Sequence, residues 1–175
     1  VQASIDMQHT LYTYNEERAA VGRHPLRVGI GLHTGPLIMG IIGDADRSEP
    51  ATISDVVNTA ARMEGLTKQF GAYLLISEET RAALDDPASF HLRYLGQVSV
   101  KGRQQLVGVY ECIDVDPTAL YEAKIASLEA FEQAMTAYLQ ADFPLAVRRF
   151  TTLVRSQPED EVAAHFLDLA RKVNG

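Results

Sequence analysis

The amino-acid pattern changes character once, and that change limits the folds open to the chain. Up to residue 113, strand-like runs alternate with helical ones. From Asp114-Val-Asp-Pro117 onward strand signals vanish and helical periodicity takes over. A mixed α+β sandwich over residues 1–116 is therefore expected, followed by an all-α appendage over 117–175. The 175 residues, 46% hydrophobic and 22% charged, suffice for a core without disulfides or metal staples.

Within the first part, residues 1–22 read as a helix whose apolar face is Ile5, Met7, Leu11 and Tyr14. Arg27–Thr34 and Leu37–Ile42 read as strands joined by the turn Gly35-Pro36, hence as a hairpin. Strand glycines weaken pairing, so Gly29, Gly31 and Gly40 mark places where a backbone or ligand comes close. Gly43 through Pro50 reads as a polar loop. Ser54 is the expected N-cap of a helix to about Phe70, with Asp55 at its positive end. Tyr73–Ile76 reads as a strand, Ser77 opens a helix that Asp85-Asp86-Pro87 closes, and Phe90–Val100 and Leu106–Ile113 are strands joined by a turn at Lys101-Gly102-Arg103-Gln104. The appendage reads as one helix to about Gln140, a second from Asp142-Phe-Pro144 to about Arg155, and a third from beyond Pro158 to Val173.

Charge and cysteine usage narrow the function. A net charge of −7 argues against coating nucleic acid or an anionic membrane by charge, but leaves room for a local basic pocket. One cysteine, Cys112, forms no internal disulfide, so a reducing, cytoplasmic setting is the default. No apolar run approaches a membrane span, and no signal peptide opens the chain. Val1 is not a natural start, so the chain is expected to be a piece of a longer protein.

Polar information is densest in the helix after Ser54. Asp55, Asn58 and Arg62 stand at i, i+3 and i+7, which puts them on one face. An amide and a guanidinium one turn apart can hold a ribose oxygen and a phosphate, for which the never-titrating arginine fork is well shaped. By spacing alone such a face is equally a solvated one. Lys101, beside Gly102, can aim its ammonium at a triphosphate, or can belong to an ordinary exposed turn.

Taken in order, the runs RVGIGLHTGPLIMGIIG (27–43), SDVVNTAARMEGLTKQFGAYLLIS (54–77) and LGQVSVKGRQQLVGVYE (95–111) resemble the class III adenylate/guanylate cyclase catalytic domain. The resemblance covers about residues 1–113, the C-terminal part of that domain, and implies a ferredoxin-like cyclase sandwich. It further implies that Asn58 orients the ribose, Arg62 neutralises charge at the α-phosphorus, and Lys101 grips the triphosphate of ATP or GTP. The family's sites form between two protomers, so a homodimer is implied.

Two departures matter. The family holds two Mg²⁺ or Mn²⁺ ions on aspartates that precede the matching segment, so ligands are expected upstream of this chain. Asp6, Glu16 and Glu17 match no metal position, and the 175 residues alone are expected to be inactive. The purine-selecting position falls on Ala51, after Pro50, and Ala51 has no side-chain group to read a base edge. Thr52 substitutes only if the backbone shifts by one residue, and Ser54 replaces a family glycine. Adenylate over guanylate then rests on family frequency and on the absence of a guanine-reading Glu.

Elsewhere, His33 reads as a packed strand histidine and Cys112 as an inert thiol without a nearby His or Asp partner. Absence of GxxxxGK excludes a P-loop. Residues 127–160 resemble one tetratricopeptide repeat through Ala134, Ala146, Phe150 and Pro158, although Ala130 stands where Trp is usual. A single repeat cannot bury its own face, so it must pack on the sheet part, on helix 159–173, or on a protein partner. The expectation is the C-terminal part of a bacterial-type signalling cyclase, probed against the alternative of a degenerate cyclase fold with a regulatory or scaffolding role.

Overall fold

The computed structural model describes residues 1–44, 47–53, 55–99 and 106–174, with the stretch from residue 38 to 53 described by its backbone. In chain order the first part comprises α1 (Gln2–Ala20), β1 (Ile30–Leu32), β2 (Ile38–Asp44), β3 (Arg47–Ile53), α2 (Asp55–Phe70), β4 (Leu74–Ser77), α3 (Glu78–Ala82), β5 (Leu92–Ser99) and β6 (Leu106–Cys112). Four helices come after them: α4 (Thr118–Ala126), α5 (Leu128–Leu139), α6 (Phe143–Ser156) and α7 (Glu161–Asn174). The mixed α+β architecture with a helical C-terminal part is the one expected.

The main sheet runs β1-β4-β6-β5, with β1 parallel to β4 and the other pairs antiparallel. Two strand expectations are corrected here. β1 does not pair with β2 across Gly35-Pro36; it pairs with β4, Ile30 opposite Leu74 and Leu32 opposite Ile76. β2 pairs instead with β3, so most of the stretch read as a polar loop is strand, with Gly40 opposite Ala51 and Ile41 opposite Pro50. A proline lacks the ladder donor, and a two-stranded ribbon has an outer side on which that lack costs nothing.

The glycines of β1 explain how α2 reaches the sheet. A Cβ at Gly31 would lie 2.2 Å from the Glu64 backbone nitrogen and 2.8 Å from the Ala60 carbonyl oxygen. One at Gly29 would strike the Thr67 side chain. The close approach expected at these two glycines is therefore that of α2. Met63, Leu66 and Phe70 then bury on the sheet side of the helix.

Strand alternation sends side chains to two faces. Leu74, Ile76 and Cys112 meet Ile5 of α1 in one apolar cluster. Leu75, Leu95 and Val109 point the other way and join Met63, Leu66 and Phe70 of α2 with Phe131, Phe150 and Phe166 of the C-terminal helices. The face of α1 is not the one expected. Met7 and Tyr14 are exposed, whereas Ser4, Ile5 and Gln8 are buried. Gln8 is held there by donating from Nε2 to the Val28 carbonyl at 2.7 Å, which satisfies the backbone just before β1.

The single long helix expected up to Gln140 is two, broken at Ser127. Ser127 Oγ donates to the Ala123 carbonyl at 3.0 Å, and Gln157 Nε2 donates to that same carbonyl at 2.8 Å. A local hydroxyl and a side chain from beyond α6 thus join the Ser127 amide, which donates to the same carbonyl, in satisfying the end of α4. At the next break, Asp142 caps α6 by accepting from the Leu145 amide at 3.1 Å, with Pro144 in the first turn. Ala134, Ala146 and Phe150 are fully buried, and the helices pack in chain order, α5 on α6 and α6 on α7.

Candidate active site

α2 positions the residues that the sequence singled out. Its inner face is anchored by Met63, Leu66, Thr67 and Phe70, and that fixes which residues look outward. Asp55, Asn58 and Arg62 are all exposed on the helix, in the i, i+3, i+7 relation expected of one face. Asp55 lies in the first turn, where its carboxylate complements the helix dipole. Arg62 makes no hydrogen bond or ion pair with another described residue, so its guanidinium is available to an anion from solution.

The strand β3 ends at Ile53 and α2 begins at Asp55, so the hairpin feeds the helix almost directly. Ala51 lies on β3 opposite Gly40, four positions before Asp55. Lys101, with the turn expected around it, and Ser54, with its expected capping role, lie outside the described residues. The fold therefore brings Asp55, Asn58 and Arg62 together on one helix and puts Ala51 on the strand leading to it.

No group of three or more His, Cys, Asp or Glu among the described residues could hold a metal ion. Asp6, Glu16 and Glu17 are exposed on α1, and Asp6 is engaged by Gln2 Nε2 at 2.9 Å. The described residues do not fit a two-metal centre. No described helix is long and apolar enough to cross a membrane.

His33 comes directly after β1, and its side chain is 1% exposed. Its Nδ1 lies 2.8 Å from Ser77 Oγ and 3.6 Å from the Glu79 carboxylate. Thr80 adds a bond to the Leu32 carbonyl at 3.3 Å, so this polar knot ties the end of β1 to the start of α3. The packed role expected of His33 holds. Cys112 needs a correction: Asp114 is beside it, accepting from Sγ at 3.4 Å. Burial and the Asp114 charge both raise the thiol pKa, so the thiolate is suppressed and the group stays inert.

A buried cluster of charges on β5 and β6, the largest among the described residues, has little trace in the sequence. Arg93 of β5 is fully buried between two carboxylates, Glu111 of β6 at 2.5 Å and Asp160, just before α7, at 2.7 Å. Its guanidinium also lies 3.9 Å from the Phe131 ring centre. Lys124 of α4 donates to Glu111 at 2.8 Å and to Asp116 at 2.7 Å. Three carboxylates thus face two cations. Burial opposes the charge on Arg93, but Glu111 and Asp160 outweigh it and raise its pKa. Burial also works against the Asp160 carboxylate, yet its bonds to Arg93 hold that pKa low. Asp116 carries the surplus: burial pushes it up to about 6 despite Lys124. A charge at an inward-facing position of each of two apolar strands, LRYLGQVS and LVGVYEC, was the only hint in the sequence.

Known proteins resemble this chain in sequence and in fold. The adenylate cyclase of Anabaena cylindrica is 40% identical over 116 residues, which is 63% of this chain and 23% of that protein. The crystal structure of the adenylyl cyclase CyaB from P. aeruginosa matches with a TM-score of 0.52 at 28% identity, covering 62% of this chain and 54% of that one. That of the guanylyl cyclase Cya2 matches with a TM-score of 0.51 at 27% identity, covering 62% and 53%. The chain thus spans about a quarter of that curated relative and about half of each solved structure. Residues 1–111 match the family described as the adenylate and guanylate cyclase catalytic domain, and the chain belongs to that family.

Proposed function

We propose that this chain contributes to a nucleotidyl cyclase converting ATP to 3′,5′-cyclic AMP and pyrophosphate in a signalling pathway. The observation that carries the reading is the outward pairing of Asn58 and Arg62, one turn apart on a helix anchored by Met63, Leu66 and Phe70. In the reaction the ribose 3′-oxygen attacks the α-phosphorus, the bond from that phosphorus to the pyrophosphate oxygen breaks, and the 3′-hydroxyl proton is lost. Such a transfer depends on positioning and charge neutralisation. Asn58 would hold the ribose, Arg62 would meet charge growing at the α-phosphorus, and Lys101 would hold the triphosphate. Asp55 would flank the site at the start of α2.

ATP is preferred over GTP because adenylate cyclases stand among the relatives, although Ala51 supplies no base-reading group. The resemblance to the family supports a homodimer and Mg²⁺ or Mn²⁺ ions held by residues outside the 175, so we expect those residues alone to give no turnover. Residues 1–116 would form the cyclase part, and 117–175 a tetratricopeptide-like tail open to a protein partner. Burial of Ala134, Ala146 and Phe150 supports that likeness.

The test is a cyclase assay on the natural full-length protein with Mn²⁺, ATP and GTP side by side. Cyclic AMP is expected, with Arg62→Ala lowering kcat by about 10²–10³-fold, as for loss of one transition-state donor. No turnover, or an Arg62→Ala variant as active as wild type, favours the second reading, a regulatory or scaffolding cyclase fold. Ala51 and Ser54, which depart from the family pattern, are what speak for it.

A further inference from the structure

The geometry points to α7 as a brace that sets the placement of α2, which bears Arg62, against β5 of the main sheet, with Phe166 and Asp160 as its positioning residues. This rests on the cyclase reading for its catalytic consequence, but not for its mechanical one. α2 carries Arg62, and β5 is the edge strand of the main sheet. α7 touches both. Phe166 packs on Phe70 of α2, ring centres 5.8 Å apart, and its neighbour His165 lies 5.1 Å from the same ring. At the other end, Asp160 grips Arg93 of β5 through two bonds, at 2.7 and 3.0 Å.

Between these attachments lies a cavity of about 320 Å³, bounded by Arg62 and Leu66 of α2, Gln97 and Ser99 of β5, and Phe166 and Leu169 of α7. α2 and β5 are therefore not in continuous contact along this seam, and α7 fills the role of spacer. β5 is also bent here, with a register shift between Tyr94 and Gln97 and Gly96 at φ +94°. Leu139 of α5 sits against that glycine, where a Cβ would come 3.1 Å from its Cδ2. A bulge re-aims the rest of its strand, here the stretch up to Ser99. Phosphoryl transfer is sensitive to such spacing, since a 1 Å misplacement can cost about 10²-fold.

Hydrogen exchange on the 175-residue chain tests the mechanical part, comparing wild type, Phe166→Ala, Phe166→Leu and Asp160→Asn. Amides of residues 62–70 and 95–99 are expected to exchange at least ~tenfold faster in Phe166→Ala, with Leu restoring most of the protection. Should the alanine variant fail to fold, Phe166→Leu and Asp160→Asn against wild type decide the matter in the same segments. Acceleration confined to α7, or uniform over the chain, overturns the brace. In the full-length enzyme, Phe166→Ala should lower kcat at least ~tenfold with KM nearly unchanged, while Arg148→Ala, at an exposed position of α6, leaves both as they were. Loosened segments with an unaltered kcat overturn the positioning role. A wild type without turnover refutes the cyclase reading, and the exchange result still decides the brace.

Discussion

α2 and the far half of the sheet carry opposite kinds of polarity. Outward stand Asp55, Asn58 and Arg62, exposed and spaced along one face. On β5 and β6, where the sheet meets the C-terminal helices, stand Arg93 and Glu111 with Asp116, Lys124 and Asp160, all buried and mutually bonded. Exposed charges keep their hydration and their freedom to meet a ligand. Buried ones have given up water and must be matched to each other. The same residue types therefore do different jobs: the outer set costs the fold little and is free for chemistry, whereas the inner set ties the parts together.

That contrast can be broken most sharply at Arg93. Arg93→Ala leaves Glu111 and Asp160 without their shared partner and should destabilise the chain by about 3–5 kcal/mol in urea unfolding. A loss below about 1 kcal/mol would mean that the cluster is not a coupled unit.

Protonation is a gentler lever. Asp116 in the fold is held at about 6 against an ordinary 3.8, so the native state holds its proton more tightly than the unfolded chain. Its contribution is fully present below about pH 4 and is lost as pH rises through about 6, an effect of at most ~3 kcal/mol. The stability advantage of wild type over Asp116→Asn should therefore shrink across that window; parallel curves would refute the surplus-charge account. Asp160 acts with the opposite sign. Its lowered pKa contributes stability above the usual carboxylate range that is lost on acidification.

Smaller effects sharpen the other side. Arg27 and Glu161 form an ion pair at 2.9 Å that joins the stretch before β1 to α7, with both side chains about half exposed. Arg27→Ala should cost under about 1 kcal/mol, and less in high salt. Smallest of all, Asn58→Ala and Arg62→Ala should change unfolding free energy by no more than about 0.5 kcal/mol while abolishing most turnover. A marked stability loss in either would place these residues in the packing instead.

Legibility in the sequence tracks the range of the interactions involved. α2 and its outward triad were legible because helical spacing is local, and β5 and β6 because both are apolar runs of seven or more residues. β3 was not, since RSEPATI lacks alternation and contains Pro50. β1 was given the wrong partner because three residues of parallel pairing to a strand beyond α2 leave no nearby mark. The break at Ser127 has neither Gly nor Pro, and depends on Gln157, thirty residues further along. Arg93 and Asp160 are 67 residues apart, and nothing near either position announces the other.

That last separation has a consequence for synthesis. A nascent chain can form β5 and β6 and pair Arg93 with Glu111 long before residue 160 has left the ribosome. Until then the guanidinium lacks its second carboxylate, so the sheet face under α7 stays open to water and to chaperones. At roughly 5–20 residues per second the interval from Cys112 to Asp160 lasts several seconds. The sheet that supports the proposed cyclase residues is therefore finished late, from its far end, and any event that stalls translation in α5 or α6 would leave it assembled but unsealed.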